Sequence, residues 1–145
     1  MLVALLTTCV LILSSVGVHY NSLARLSAFL RGRSGNVRRW VGICVLAILL
    51  VHILEVTLFA VAYKVLDESG DYGKLIGAVN NDLSDYWYFS FVAYTSLGFG
   101  DIVPTKELRL MTALETLTGL ILIAWSASFL FMQMNHFWER DQAKS

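Results

Sequence analysis

Residues 86–101 read YWYFSFVAYTSLGFGD, in which an apolar run passes directly into a segment with two alternating glycines. Ser84 or Asp85 can cap a helix that begins just before the run. This helix, predicted over residues 84–95, covers only about half of the roughly 20 residues that a membrane-spanning helix needs. A short apolar helix that ends in such a loop, with Pro104 soon after, is typical of a segment that enters the membrane and turns back.

The loop at residues 96–101 predicts a particular backbone. Inside a membrane its amides cannot face lipid, because unpaired backbone groups are costly there. A strand whose successive carbonyls point to one side alternates right- and left-handed conformations, and glycine adopts the left-handed one most readily. Gly98 and Gly100 stand two apart, as this alternation requires. Their carbonyls could replace the water shell of a dehydrated cation. One chain supplies one oxygen per layer, so this interpretation requires a cyclic oligomer.

Long apolar runs support a membrane location, in a chain that is 57% hydrophobic. Among acidic, basic and histidine residues, positions 41–63 contain only His52 and Glu55, and positions 110–134 contain only Glu115. Residues 2–18 contain none, and the lack of any Lys or Arg before Arg25 favours a retained helix over a cleaved signal peptide. We therefore predict an all-α membrane protein with three transmembrane helices and one re-entrant helix with its loop.

The charge distribution predicts how the chain crosses a cell membrane. Five arginines and no acid lie between the first two apolar runs: Arg25, Arg31, Arg33, Arg38 and Arg39. The positive-inside rule places this loop in the cytoplasm, with the N-terminus outside and the C-terminus inside. Residues 21–33 are predicted to form an amphipathic helix along the inner membrane surface. Residues 64–107 then lie outside, and their excess of acids attracts cations, although a merely solvated loop would have the same composition.

Residues 88–101 resemble the pore helix and the Thr-Val-Gly-Tyr-Gly-Asp selectivity filter of potassium channels. The resemblance covers about two-thirds of the chain, which is similar to small two-helix bacterial channels and to two-pore-domain channels. It divides residues 41–134 into an outer helix (41–65), a pore helix (84–95), a filter (96–101) and an inner helix (107–134). An added N-terminal helix (1–20), a basic segment (21–40) and a short tail (135–145) complete the predicted organisation.

This resemblance implies a homotetramer in the lipid bilayer that conducts potassium ions, with no catalytic residue and no nucleic-acid partner. The implied ion ligands are Ser96, Leu97, Gly98, Phe99 and Gly100. Asp101 would lie behind the outer mouth, bonded to Tyr88, and Thr95 would support the filter from the end of the pore helix. Residues of the inner helix that share one face would line a cavity: Leu117, Ile121, Ala124, Ser128 and Met132.

Three filter positions depart from the family pattern. Ser96 replaces Thr, Leu97 replaces Val, and Phe99 replaces Tyr. Family members often tie the filter Tyr to a pore-helix Trp, but Phe89 stands at that second position. The departures leave two alternatives open, a potassium-selective channel and a weakly selective or non-selective cation channel.

Two carboxyls and one glycine inside the predicted spans need an explanation. Charged residues in a span are costly and are usually paired or functional. Counted along their helices, Glu55 and Glu115 fall at similar depth in the membrane. We therefore expect them to bond to the pore helix or to each other. The alternative is that each bonds only to nearby residues of its own helix, as His52 would allow for Glu55. Gly119 lies close to a position where the family often has a hinge glycine, but a glycine there also permits close helix packing.

Two rival functions remain at this point. Gly98-Phe99-Gly100-Asp101 also fits the Gly-x-Gly-Asp motif of intramembrane aspartyl proteases. That chemistry needs two carboxylates sharing a site, and no Asp falls in any predicted span, so we favour a channel without enzymatic activity. A non-conducting membrane adaptor would leave the filter-like segment unexplained.

Overall fold

The fold consists of four helices and a two-stranded ladder, and the computed structural model describes residues 2–31 and 37–142. In chain order the elements are α1 (Leu2–Leu30), α2 (Val37–Ser69), β1 (Leu75–Gly77), α3 (Leu83–Tyr94), β2 (Ile102–Pro104) and α4 (Leu108–Gln142). Helices α1, α2 and α4 are long and apolar enough to cross a membrane. The short α3 packs against both α2 and α4. Arg33 of the predicted basic segment and residues 143–145 of the predicted tail lie outside the described residues.

Apolar packing holds the helices together at both ends of α2. Near its C-terminal end, Phe59 and Tyr63 pack with Phe89 of α3 and Met111 of α4. Near its N-terminal end, a smaller cluster joins the three long helices, with members Leu23, Ile48 and Phe129. Between the two clusters lies a layer of fully or almost fully buried polar side chains: His19, Glu55, Ser90, Glu115 and Ser126. Buried polar groups need partners, so this layer constrains how the helices meet.

Helix α1 runs without a break from Leu2 to Leu30, whereas the sequence predicted a boundary near residue 20. Its six buried residues recur every four or seven positions and form one stripe: Ala4, Thr8, Ser15, His19, Leu23 and Leu30. The stripe continues through the predicted boundary, and the Asn21 side chain bonds to the Gly17 carbonyl inside the helix (2.7 Å). The proposed amphipathic segment is therefore the continuation of the first helix and not a separate element.

Both ends of α1 touch other elements. The first turns line a cavity of about 320 Å³ together with the start of α4, between Ala4, Thr8 and Met111. At the other end, Leu30 packs in a cluster with Cys44 of α2. Helix α1 is thus in contact with the bundle along its whole length.

The connections around the re-entrant helix are more ordered than predicted. Helix α2 continues to Ser69 and not to residue 65, and the segment between α2 and α3 contains strand β1. β1 pairs antiparallel with β2, with Leu75 opposite Pro104 and Gly77 opposite Ile102. Helix α4 begins at Leu108 and ends at Gln142, so most of the predicted tail is helical. Residues 135–142 contain no Gly or Pro, and nothing there interrupts a helix.

Candidate functional site

Helix α3 is the element on which the site is built. It spans 12 residues, or about 18 Å at the standard helical rise, too short to cross a membrane. Its N-cap is Asp82, in an extended conformation and without a side-chain capping bond, and not Ser84 or Asp85 as predicted. The Asp85 carboxylate instead accepts a hydrogen bond from the backbone N–H of Asn80 (2.6 Å). This bond fixes the entry of the chain into α3.

The strand that follows α3 has the alternating backbone that the glycine spacing predicted. The φ angles of Gly98 and Gly100 are 57° and 79°, both in the left-handed region. Ser96 is left-handed as well, with φ of 57°, which the sequence did not indicate because serine rarely adopts this conformation. Every second residue from Ser96 to Gly100 therefore has a positive φ. This pattern is the one required to direct successive carbonyls to the same side.

The predicted filter strand, residues 96–100, lies on an open face of the single chain. Leu97 and Phe99 are 57% and 64% exposed, although both are large and apolar. A methyl group added at Gly98 or Gly100 would meet no atom within 4 Å. The alternating backbone is therefore not imposed by crowding inside this chain.

Beyond the strand, Asp101 is held from two directions. Its carboxylate accepts a hydrogen bond from the Tyr88 hydroxyl (2.8 Å), the contact suggested by the resemblance. Its backbone carbonyl accepts a bond from the Ala78 amide (3.1 Å), just after β1. The bond to Asp101 raises the pKa of Tyr88, since the nearby carboxylate disfavours a phenolate. The end of the filter strand is thus attached both to α3 and to the ladder.

Helix α3 bonds through Ser90 to Glu115 of α4. The Tyr63 hydroxyl donates to one carboxyl oxygen of Glu115 (2.6 Å), and the Ser90 hydroxyl lies within 2.5 Å of the other. Ser90 also contacts the Val56 carbonyl (2.9 Å). Through Glu115, three helices meet at one buried carboxyl group.

The second buried carboxyl is that of Glu55 in α2, and it bonds to α3 at Tyr94, one turn after Ser90. The Tyr94 hydroxyl donates to Glu55 (2.6 Å), and Nδ1 of His19 and Nδ1 of His52 each lie 3.0 Å from a Glu55 oxygen. Both carboxyls therefore bond to α3, which is one of the arrangements that the sequence suggested. Among the described residues, no hydrogen bond joins Glu55 to Glu115.

His19 is the participant that sequence reasoning missed. It stands alone on an apolar helix, and its partner Glu55 lies 36 positions away, so no local spacing relates the two. It is nevertheless completely buried, and four residues before Leu23 it falls on the buried stripe of α1. The three groups His19, His52 and Glu55 offer ligand atoms that lie within 4.8 Å of one another, a distance at which a metal ion could be held.

Gly119 marks a close approach of α4 to α3. A Cβ atom at this position would lie only 2.2 Å from the Tyr94 carbonyl oxygen. One turn earlier, the Thr116 hydroxyl donates to the Ala93 carbonyl (2.8 Å), which lies in the last turn of α3. Close packing therefore accounts for the glycine at this position, and the hinge stays a prediction.

The face of α4 predicted to line a cavity is free in the single chain. Leu117, Ile121 and Met132 are 54%, 57% and 62% exposed, and Ala124 and Ser128 are exposed as well. The opposite face carries the buried residues Glu115, Leu122 and Ser126. Helix α4 thus presents one face to the bundle and leaves the other open.

Three apolar spans around a short re-entrant helix, followed by an alternating left-handed strand, define a multi-pass all-α membrane protein with a pore-loop architecture. A family model described as "Ion channel" matches residues 47–136, which is more than half of the chain. The chain therefore belongs to this ion channel family. Its membership places it among channel proteins and not among enzymes, against the protease alternative. No curated protein and no solved structure gives a significant match.

Proposed function

We propose that the chain is one subunit of a homotetrameric, potassium-selective channel in the cell membrane. The observation that supports this most directly is the positive φ at Ser96, Gly98 and Gly100. With this alternation, the carbonyls from Ser96 to Gly100 can form successive rings of ligands for a dehydrated potassium ion when several chains surround one axis.

The exposed surfaces of the single chain support the assembly. Leu97 and Phe99 expose more than half of their surface, and so does the α4 face that includes Leu117 and Ile121. Neighbouring copies would cover the first pair, and the α4 faces of four chains would enclose the inner cavity. Four copies fit because a ring of carbonyls around a potassium ion needs several identical strands.

In this proposal the two carboxyls and the Tyr88 bond position the filter. Glu115 through Ser90, and Glu55 through Tyr94, hold α3 on the side away from the strand. Tyr88, in the middle of α3, holds Asp101 beyond the strand, and Thr95 supports the strand from the C-terminal end of the helix. The C-terminal end of α3 points toward the strand, and its partial negative charge favours a cation there. The N-terminus would lie outside the cell and the C-terminus inside, as the arginine distribution predicts.

A second candidate, a weakly selective cation channel, is favoured by one observation. The Phe89 ring packs edge-on against Tyr63, with ring centroids 5.0 Å apart, and is almost fully buried. Neither Phe89 nor Phe99 has a hydroxyl group with which to tie the filter to the pore helix. The described tether near the filter is the Tyr88–Asp101 bond beyond its outer end. A strand that lacks a side-chain bond from Phe99 to the pore helix is free to widen there, and we expect it to discriminate less strongly between ions of different size.

Ion flux into liposomes that contain the purified protein tests the proposal. We expect a potassium gradient to drive flux through the protein and an equal sodium gradient to drive much less. Similar fluxes for the two ions would favour the second candidate. No flux of either ion, from protein that is correctly inserted, would contradict both.

A further inference from the structure

We propose that His19, His52 and Glu55 form a binding site for one divalent transition-metal ion of the zinc type, at the junction of α1 and α2. The site lies outside the filter, and ion binding there does not depend on whether the channel conducts potassium. The proposal rests on how the three side chains converge and on the atoms that surround them.

The three ligands are close together and shielded from solvent. Nδ1 of His19 lies 3.0 Å from one Glu55 oxygen, and Nδ1 of His52 lies 3.0 Å from the other. The side chains of His19 and Glu55 are fully buried, whereas that of His52 is 16% exposed. An ion can therefore approach from the His52 side, and once bound it is enclosed by protein.

The atoms behind the histidines suit a metal site. The Ser126 hydroxyl oxygen lies 3.1 Å from Nε2 of His52 and 3.3 Å from Nε2 of His19. A hydroxyl oxygen has two lone pairs and can accept a bond from each ring. If both rings donate from Nε2, both Nδ1 lone pairs face the Glu55 carboxylate. The Tyr94 hydroxyl lies 2.9 Å from Nδ1 of His52 and 2.6 Å from Glu55, and its one proton can serve only one of them, so the electron-donating groups outnumber the protons there. A cation at that point completes the arrangement.

This ligand set is one that zinc uses. Two imidazoles and one carboxylate bind zinc in sites that keep a fourth position for water or another small ligand. Histidines that bind metals almost always donate their other ring N–H to a fixed acceptor, and Ser126 stands in that place for both rings. The Tyr94 hydroxyl donates to Glu55 (2.6 Å) and orients the carboxylate in the same way.

A proton is the competing occupant. One imidazolium between Glu55 and Ser126 would also satisfy the hydrogen bonds, because Ser126 has one hydroxyl proton to give and can accept another. The experiment must therefore detect the metal itself and not only the loss of a bond when a histidine is replaced.

A bound ion would link four helices. Its ligands come from α1 and α2, Ser126 belongs to α4, and Tyr94 is the last residue of α3, two residues before Ser96. Metal binding would thus fix the first helix against the end of the pore helix.

Metal binding to the full-length protein in detergent, after treatment with a chelator, tests the proposal. We expect one zinc ion per chain by titration calorimetry. X-ray absorption should show nitrogen and oxygen ligands at about 2.0–2.1 Å and no sulfur at about 2.3 Å. Cobalt, used as a spectroscopic probe, should give the visible absorption of a tetrahedral site. Because these measurements use the wild-type protein, they do not depend on how any variant folds.

Variants then assign the ligands. His19→Gln and His52→Gln should each weaken zinc binding by more than the roughly 10–100-fold typical of an outer partner, and Ser126→Ala should fall within that range. His136→Ala is the matched control, since His136 is the remaining histidine of the chain and is exposed in α4. Absence of binding to the wild type, sulfur in the coordination shell, or loss of binding in His136→Ala would each overturn the proposal.

Discussion

Gly119 lies where α4 comes close to the last turn of α3, and at the residue scale it has a simple steric role. Its Cα faces the backbone carbonyl of Tyr94, so that even one methyl group would collide with that oxygen at 2.2 Å. Backbone atoms cannot move aside as the end of a flexible side chain can. The contact therefore sets the distance between the inner helix and the last turn of the pore helix.

Gly119→Ala should destabilise the protein by at least the roughly 1–3 kcal/mol that overpacking usually costs. Thermal unfolding in detergent measures the effect. The matched control is Gly42→Ala in α2, where an added methyl meets nothing within 4 Å. That change should be neutral or stabilising, because alanine favours a helix over glycine by about 0.5–1 kcal/mol. Equal stability of the two variants would contradict the packing role of Gly119.

Glu115 is the second residue whose surroundings yield a prediction. Glu115→Ala removes one partner of both Tyr63 and Ser90, which keep only the Thr112 hydroxyl and the Val56 carbonyl. Each hydrogen bond lost should cost about 0.5–1.5 kcal/mol. Glu115→Gln keeps one acceptor for Tyr63 and one donor for Ser90, so its effect should be clearly smaller.

Unfolding temperature and ion flux would both be measured for these two variants. Glu139→Ala, at an exposed position of the same helix, provides the control and should behave as the wild type. If Glu115→Ala and Glu115→Gln were both without effect, the buried carboxyl would not support the pore helix.

At the scale of elements, the filter strand combines three left-handed residues. Gly98→Ala introduces a side chain at a φ of 57°, which costs roughly 1–2 kcal/mol in each subunit. The added methyl collides with nothing in its own chain, so the bundle should still insert and fold. Flux should fall sharply or lose its preference for potassium, because the strained residue changes the direction of the carbonyls.

A control substitution at a left-handed glycine outside the filter distinguishes the effect of backbone strain from an effect on ion binding. Gly70 has a φ of 74° and equally open space around it, at the end of α2. Gly70→Ala should carry a similar backbone cost and leave selectivity unchanged. Selectivity like that of the wild type in Gly98→Ala would mean that these carbonyls do not bind the ion.

The elements also differ in how well the sequence predicts them. The long spans and the short pore helix were predicted because apolar length distinguishes them, and the left-handed glycines because spacing and conformation are linked. The β1–β2 ladder was not predicted. Each strand has only three residues, and the two strands are separated in the chain by the pore helix, so no local pattern relates them. The continuity of α1 was missed because the arginines from Arg25 onward indicated that the chain leaves the membrane there. The stripe of buried residues nevertheless continues past the predicted boundary to Leu30.

The site was predictable only in part, for a similar reason. The contacts of Asp101 with Tyr88 and of both glutamates with α3 follow from depth and motif position. The His19–Glu55 contact depends on the rotation of α1 about its axis, and a left-handed Ser96 runs against the preference of its own residue type. Both are results of tertiary packing, which no local pattern encodes.

For the whole molecule, the central prediction is its stoichiometry. Four chains should associate around one axis, because the proposed rings of carbonyls need several identical strands and the resemblance to potassium channels implies four. Native mass spectrometry of protein in mild detergent should give a species of four chains. A stable monomer or dimer under conditions that preserve flux would contradict the proposed assembly.

The unbroken α1 has a mechanical consequence for this assembly. A helix of 29 residues is a rod about 44 Å long, and bending it sharply requires a proline or a similar interruption. The rod touches α2 at Leu30, and at His19 it meets the carboxyl that bonds the last residue of α3. We expect a push or pull on the Leu30 end to move α1 as one rigid body and to reach α2 and α4 through several contacts of its buried stripe, Leu23 and His19 among them.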